Sequence, residues 1–134
     1  MDETNKEILK SLRANSRTPF LKIAKRLEVS EGTVRKRVEI LVNRGRIRKF
    51  TIEENLDTSA IVHVMTSTNM STDRISAELM KIKGVLKVFE TTGKYSIYCL
   101  IKGNSMYEIN DILEKIRQLK GILQTETHTV LKEY

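Results

Sequence analysis

Between Ser30 and Asn43 the side chains that can hydrogen-bond or carry charge fall on one side of a helical period. Val34, Val38, Leu41 and Val42 recur at i, i+4, i+7 and i+8 and mark a stripe that faces a core. Gly32, Thr33, Lys36, Glu39 and Asn43 lie away from that stripe, and Arg35 and Arg37 flank it. A rigid rod with this surface can offer hydrogen bonds to base edges and cations to phosphates, the chemistry needed to read a duplex through its major groove. An ordinary solvated helix could carry the same charges, so the deciding features lie in the segment before it.

That segment contains the spacing of two helices crossing at a sharp turn. Ala24 is small where the helices approach, Glu28-Val29-Ser30 follows, and Val34 locks the angle. The Ser30 hydroxyl is placed to cap the free N–H groups of the second helix, which the pattern predicts to run to about Asn43. Upstream, Ile8, Leu9 and Leu12 predict a first helix over Glu3 to Ala14, capped by Asp2 or Thr4 and ended by Asn15-Ser16. Thr18 is expected as the N-cap of the second helix, with Pro19 at its first position and Phe20, Ile23, Ala24 and Leu27 inward. Arg17, at that positive helix end, can reach a DNA phosphate.

Gly45 should stop the third helix. The alternation in Arg46-Ile47-Arg48-Lys49-Phe50-Thr51-Ile52 then suggests a wing, in which Ile47 anchors to the core while Arg46, Arg48 or Lys49 contacts the backbone or minor groove. Residues 1–52 therefore predict a winged helix-turn-helix DNA-binding domain.

The charge divides at the same place. Residues 1–52 hold 14 Lys and Arg against 6 Asp and Glu, whereas residues 53–134 hold 10 against 11. A basic half suits a phosphate backbone, and the near-neutral half must serve something else. No apolar run reaches spanning length and the N-terminus lacks a signal-peptide core, so no membrane partner is expected. The single Cys99 excludes an intramolecular disulfide, and its apolar surroundings suggest a reduced thiol and a cytoplasmic setting. Two separated histidines and one cysteine give no zinc-ligand spacing. Neither a phosphate-cradling glycine loop nor a nucleophile elbow occurs, which argues against an enzyme and implies no cofactor.

After a polar and acidic linker over 53–59, residues 60–134 alternate between strand and helix periods. Strands are expected at Ile61–Thr66, Val85–Thr92, Tyr95–Ile101 and Ile122–Leu131, and helices at Thr72–Lys83 and Ser105–Leu119. The order βαββαβ predicts a ferredoxin-like sheet with both helices on one face, making the whole chain α+β. An internal repeat agrees: Ile82-Lys83-Gly84-Val85-Leu86 returns as Leu119-Lys120-Gly121-Ile122-Leu123, each copy at a helix-to-strand corner with a C-cap glycine.

These features together resemble the Lrp/AsnC, or feast/famine, transcription regulators over nearly the full length. The resemblance rests on Asp2 with Ile8-Leu9, Asn15-Ser16-Arg17, Ile23-Ala24-Lys25-Arg26-Leu27-Glu28-Val29-Ser30, Thr33-Val34, Arg37-Val38, Gly45-Arg46-Ile47, and the turn Gly93-Lys94-Tyr95-Ser96. It implies a winged helix joined to an amino-acid-sensing sheet domain, homodimers that assemble into octamers, and double-stranded DNA as partner. The usual Asp after the turn's aromatic residue is Ser96 here.

The family places its effector beside this turn, at a contact between dimers. Thr92, Gly93, Lys94, Tyr95 and Ser96 would then supply exposed backbone to an amino acid. On strand four Thr125, Thr127 and Thr129 share one face, with Gln124, Glu126 and His128 on the other. Those threonines or Glu126 could complete the pocket, and an acidic Glu126 would favour a basic amino acid such as lysine. His63 and His128 matter for one alternative, since some relatives are sirohaem decarboxylases that need histidines near a tetrapyrrole. A second alternative is a nucleoid-organising protein with little sequence choice.

Overall fold

Ile8, Leu12, Ile23, Ala24, Val34, Val38 and Leu41 form one buried cluster, while Val62, Val64, Ile75, Leu79, Ile97, Ile101, Ile109 and Ile116 belong to a second. The computed structural model, which describes residues 1–55 and 58–134, divides accordingly into units Met1–Glu53 and Glu54–Tyr134.

The first unit contains α1 (Glu3–Ala14), α2 (Phe20–Arg26) and α3 (Glu31–Asn43). Asp2 caps α1 by accepting the Asn5 N–H at 2.8 Å, and Ser30 caps α3 by accepting the Thr33 N–H at 3.1 Å. The cap of α2 differs from expectation. Pro19, not Thr18, is the N-cap, because its carbonyl accepts from the N–H groups of Lys22 and Ile23 at 3.0 and 3.2 Å. Thr18 is drawn back into the preceding turn, where its hydroxyl donates to the Asn15 carbonyl at 2.8 Å.

Between α2 and α3, Glu28 adopts φ +54°, a left-handed conformation that side chains other than glycine's resist. The stripe on α3 is narrower than its sequence implied: Val34, Val38 and Leu41 are buried, but Val42 is 42% exposed. Gly45 ends the helix with φ +67°, and the N–H groups of Arg46 and Ile47 return to the Leu41 carbonyl at 2.8 and 3.0 Å. The expected wing contains no strand among the described residues. Ile47 packs on the core as anticipated, but residues 48–55 run as irregular chain without a paired neighbour in this unit to complete a hairpin.

The second unit contains β1 (Thr58–Thr66), α4 (Thr72–Met80), β2 (Val85–Glu90), β3 (Ile97–Gly103), α5 (Met106–Arg117) and β4 (Ile122–Thr129). The sheet order is β2-β3-β1-β4, antiparallel throughout. Both helices bury their apolar stripes against one face, as a split βαβ arrangement requires. The linker expected over 53–59 includes Leu56 and Asp57, which lie outside the described residues. Its last two positions belong to the sheet, because Thr58 and Ser59 pair with Gly103 and Lys102.

The repeated corners have nearly equal geometry, with φ +98° at Gly84 and +94° at Gly121. They also share close packing: a Cβ would collide with Ile112 Cδ1 at Gly84 and stand 2.9 Å from Ile75 Cδ1 at Gly121. At the opposite margin the sheet's two ends meet, since Ala60 pairs with Thr129 and the Val130 N–H donates to the Ser59 carbonyl at 2.9 Å. Cys99 is buried within the core, and burial pushes its thiol up to about 12, so it stays an unreactive thiol.

Candidate functional site

The rigid seat of α3 decides which of its side chains are available. Val34 and Val38 fix one side, leaving Gly32, Lys36, Glu39 and Asn43 exposed on the other. Around Gly32 there is open space, the nearest foreign atom to a built Cβ being Ser30 Oγ at 3.8 Å, so a surface can approach the backbone closely. Lys36 has no carboxylate partner among the described residues. Thr33 shares a 2.8 Å hydrogen bond with the Ser30 hydroxyl.

Three of the expected contacts are already engaged. The Ser30 hydroxyl closes the helix cap, so its first role is local. Arg35 donates to Glu31 at 2.7 Å and lies 5.4 Å from the centre of the Phe20 ring, yet remains exposed and exchangeable. Arg37 departs furthest from its expected place. Its guanidinium donates to Asp2 Oδ2 at 2.6 Å and Asn5 Oδ1 at 3.1 Å, and its side chain is 31% exposed against 66% for Arg35. The bond from Arg37, followed by that from the Asn5 N–H, holds the Asp2 carboxyl below the ordinary range. Ile40, unremarked in the sequence, is 38% exposed beside Lys36 and Thr33 in a recess of about 390 Å³. Its spacing, i+4 from Lys36, was the available signal.

A second, larger hollow of about 700 Å³ separates the end of α1 from the chain after α3. Leu9, Leu12 and Ile47 line it, together with Arg17, Arg46, Arg48 and Lys49, and also Arg13, which sequence reasoning passed over. None of these cations has an ion-pair partner among the described residues. Five cations on one concave surface form a strong anion-attracting field.

In the second unit the glycine turn closes where expected. Gly93 has φ +110°, the Thr91 hydroxyl donates to the Tyr95 carbonyl at 2.9 Å, and the Thr91 N–H donates to the Ser96 carbonyl at 2.8 Å. Thr92 and Lys94 are exposed, with Lys94 Nζ 5.7 Å from the Tyr95 ring centre. Ser96 Oγ shares a 2.6 Å bond with Thr66 Oγ1. The Tyr95 hydroxyl donates to Glu126 Oε2 at 2.7 Å, joining the turn to β4, and His128 Nε2 meets Glu126 Oε1 at 2.8 Å. His63 completes the group, with ring centres 4.3 Å from Tyr98, 4.7 Å from His128 and 5.6 Å from Tyr95.

Hydrogen bonds from Tyr95 and then His128 hold the Glu126 carboxyl below the ordinary range, while the same bond raises the Tyr95 phenol above its own. An ionised, partly shared carboxylate on an open sheet face can accept an ammonium group. The threonines of β4 do not join it. Thr125, Thr127 and Thr129 sit opposite Val64, Val62 and Ala60 and therefore face the helix layer. Thr125 Oγ1 accepts from Arg117 at 3.4 Å, and Thr127 Oγ1 is buried without a partner. The sheet thus brings together Tyr95 and Glu126 and separates both from the three threonines. It also brings together two histidines whose nearness no sequence spacing revealed.

Comparison with known proteins covers both units. A model of the Lrp/AsnC ligand binding domain matches residues 59–134, and one of the AsnC-type helix-turn-helix domain matches residues 1–42. The chain is similar to the HTH-type transcriptional regulator LysM of Sulfurisphaera tokodaii, at 43% identity over 98% of this chain and 96% of that one. It is 40% identical to LysM of Saccharolobus solfataricus, over 100% of this chain and 96% of the relative. Among solved structures, AsnC of E. coli aligns with a TM-score of 0.80 at 27% identity, covering 99% of this chain and 93% of that one. A feast or famine regulatory protein from M. tuberculosis, complexed with L-methionine, shares the fold with a TM-score of 0.87 at 23% identity over 99% and 93%. These relatives are regulators and not enzymes, which removes the support for a decarboxylase.

Proposed function

The chain belongs to the Lrp/AsnC family of DNA-binding transcription regulators, and from that premise we propose that α3 reads operator sequence while an amino acid bound at the second unit adjusts assembly or DNA affinity. The observation that carries the DNA half is the exposed Lys36, without a carboxylate partner among the described residues, beside the bare backbone of Gly32 on a helix locked by Val34 and Val38. Gly32, Thr33, Lys36 and Arg35 meet the major groove. Arg17, Arg46, Arg48 and Lys49 meet phosphates and add affinity without sequence choice. A homodimer would present two α3 helices to half-sites about 34 Å apart, giving a roughly palindromic operator, and dimers would assemble further into an octamer.

For the effector, support comes from Tyr95 and Glu126, which the turn and β4 place within one hydrogen bond. An α-amino acid with a cationic side chain suits that carboxylate, and lysine is the first compound to test. The L-methionine complex of the M. tuberculosis protein supports amino acids as the ligand class for this fold.

Footprinting on fragments from the gene's own control region tests the first half: discrete protected sites are expected, and uniform coverage would favour a packaging protein. Calorimetry against the common amino acids, with light scattering for assembly state, tests the second. Lysine should bind tightest, and equal affinity for leucine, glutamine and lysine would remove Glu126 from the recognition site.

A further inference from the structure

We propose that Asp2 and Asn5 hold Arg37 away from DNA, so that Arg37 is a positioning residue for α3 and Asp2 restrains binding to unrelated sequences. The inference rests on the DNA-reading role proposed for α3. Asp2 uses its two carboxylate oxygens for different tasks: Oδ1 accepts the Asn5 N–H as the cap of α1, and Oδ2 takes the Arg37 guanidinium from α3. One side chain therefore sets the start of the first helix and grips the middle of the third. Asn5 Oδ1 adds a second acceptor for the same guanidinium nitrogen, which makes the geometry more specific than a lone surface ion pair.

Two neighbours in one recess consequently behave differently. Lys36 is open and has no carboxylate partner among the described residues, whereas Arg37 is turned toward α1 with most of its side chain covered. Neutralised where it stands, Arg37 releases no counterion when a duplex approaches, and Asp2 adds repulsion toward any phosphate that comes near. A free arginine at this place would grip phosphates of every sequence equally. Held, it fixes the helix that makes the distinction.

The test uses the full chain, a duplex from its own control region and a random duplex of equal length, with affinity followed against salt. Thermal melts of each variant confirm folding. Arg37→Gln should leave the salt slope unchanged and reduce the preference for the control-region duplex over the random one. Asp2→Asn keeps an equally good cap but discards the charge. It should tighten binding to the random duplex several-fold and steepen the slope by up to about 0.9 per helix, the value for one phosphate contact. The double variant should return the slope to that of the native chain.

A shallower slope for Arg37→Gln, with equal losses on both duplexes, would make Arg37 a phosphate contact and overturn the proposal. So would random-duplex binding and a slope that Asp2→Asn leaves unmoved. If the native chain retards neither duplex, the DNA-reading role itself fails, a result seen before any substitution is made.

Discussion

Lys36, Arg17, Arg46, Arg48 and Lys49 stand without carboxylate partners among the described residues of the N-terminal unit, whereas in the second unit several carboxylates are held by neighbouring side chains. There Glu126 is held by Tyr95 and His128, Glu54 by Lys102 at 2.5 Å, Glu108 by Asn104, and Glu90 by Thr72 and Ser76. Unpaired cations keep their full attraction for an outside polyanion at long range. Exposed paired groups have little far field and hold each other only weakly, so a small polar ligand can exchange with them at low cost. The free cations of the first unit thus suit the DNA capture proposed for it.

The contrast can be broken or sharpened at single residues. Gly84→Ala should have the largest effect, since it combines positive φ with a Cβ driven into Ile112 and the Lys102 carbonyl. A loss of about 3 kcal/mol is expected from strain and overpacking together, read by chemical denaturation of the sheet unit. Lys36→Ala should weaken operator binding by about 1–3 kcal/mol and blur one base pair; gel-shift titration on several operators would show uniform loss instead if Lys36 met only phosphate. Thr127→Val should stabilise the fold by about 1 kcal/mol, because it replaces an unpartnered buried hydroxyl with a methyl, and should leave effector titrations unchanged.

Glu28→Gly should raise the melting point of the N-terminal unit through relief of about 1 kcal/mol of backbone strain. The smallest effect concerns acid. The hydrogen bonds from Tyr95 and His128 hold the folded pKa of Glu126 below the ordinary carboxylate range, so its contribution is complete above that range and disappears as pH falls through the lower folded value. Melting curves stepped downward from pH about 5 should therefore fall less steeply for Glu126→Gln than for the native chain, and identical curves would show the carboxylate to be unlinked.

Much of this arrangement is legible in the chain itself. α1 and α3 announce their starts through Asp2 and Ser30 and their cores through a 3.6-residue period, and their observed bounds agree with that pattern within a residue. The glycine corners likewise follow from the repeated Lys-Gly pairs. Strand β4 was ambiguous because it is an edge strand with polar residues on both faces, so alternation separated Thr125 from Glu126 but could not say which face the helices cover. The meeting of His63 with His128 depends on the β1–β4 register, and the hold of Asp2 on Arg37 spans 35 positions. Neither leaves a local signal. The missing wing has a related cause: alternation in Arg46–Ile52 shows which side chains suit an extended chain, but a strand also needs a neighbour.

Ser59 bonded to Val130, and Ala60 paired with Thr129, put the way into the sheet beside the way out of it. A few added residues could join those ends, and the chain could then be reopened at the exposed Gly93 hairpin, reordering the four strands along the sequence while every rung of the ladder stayed in place. The connectivity of this half is therefore one threading among several that its architecture would accept.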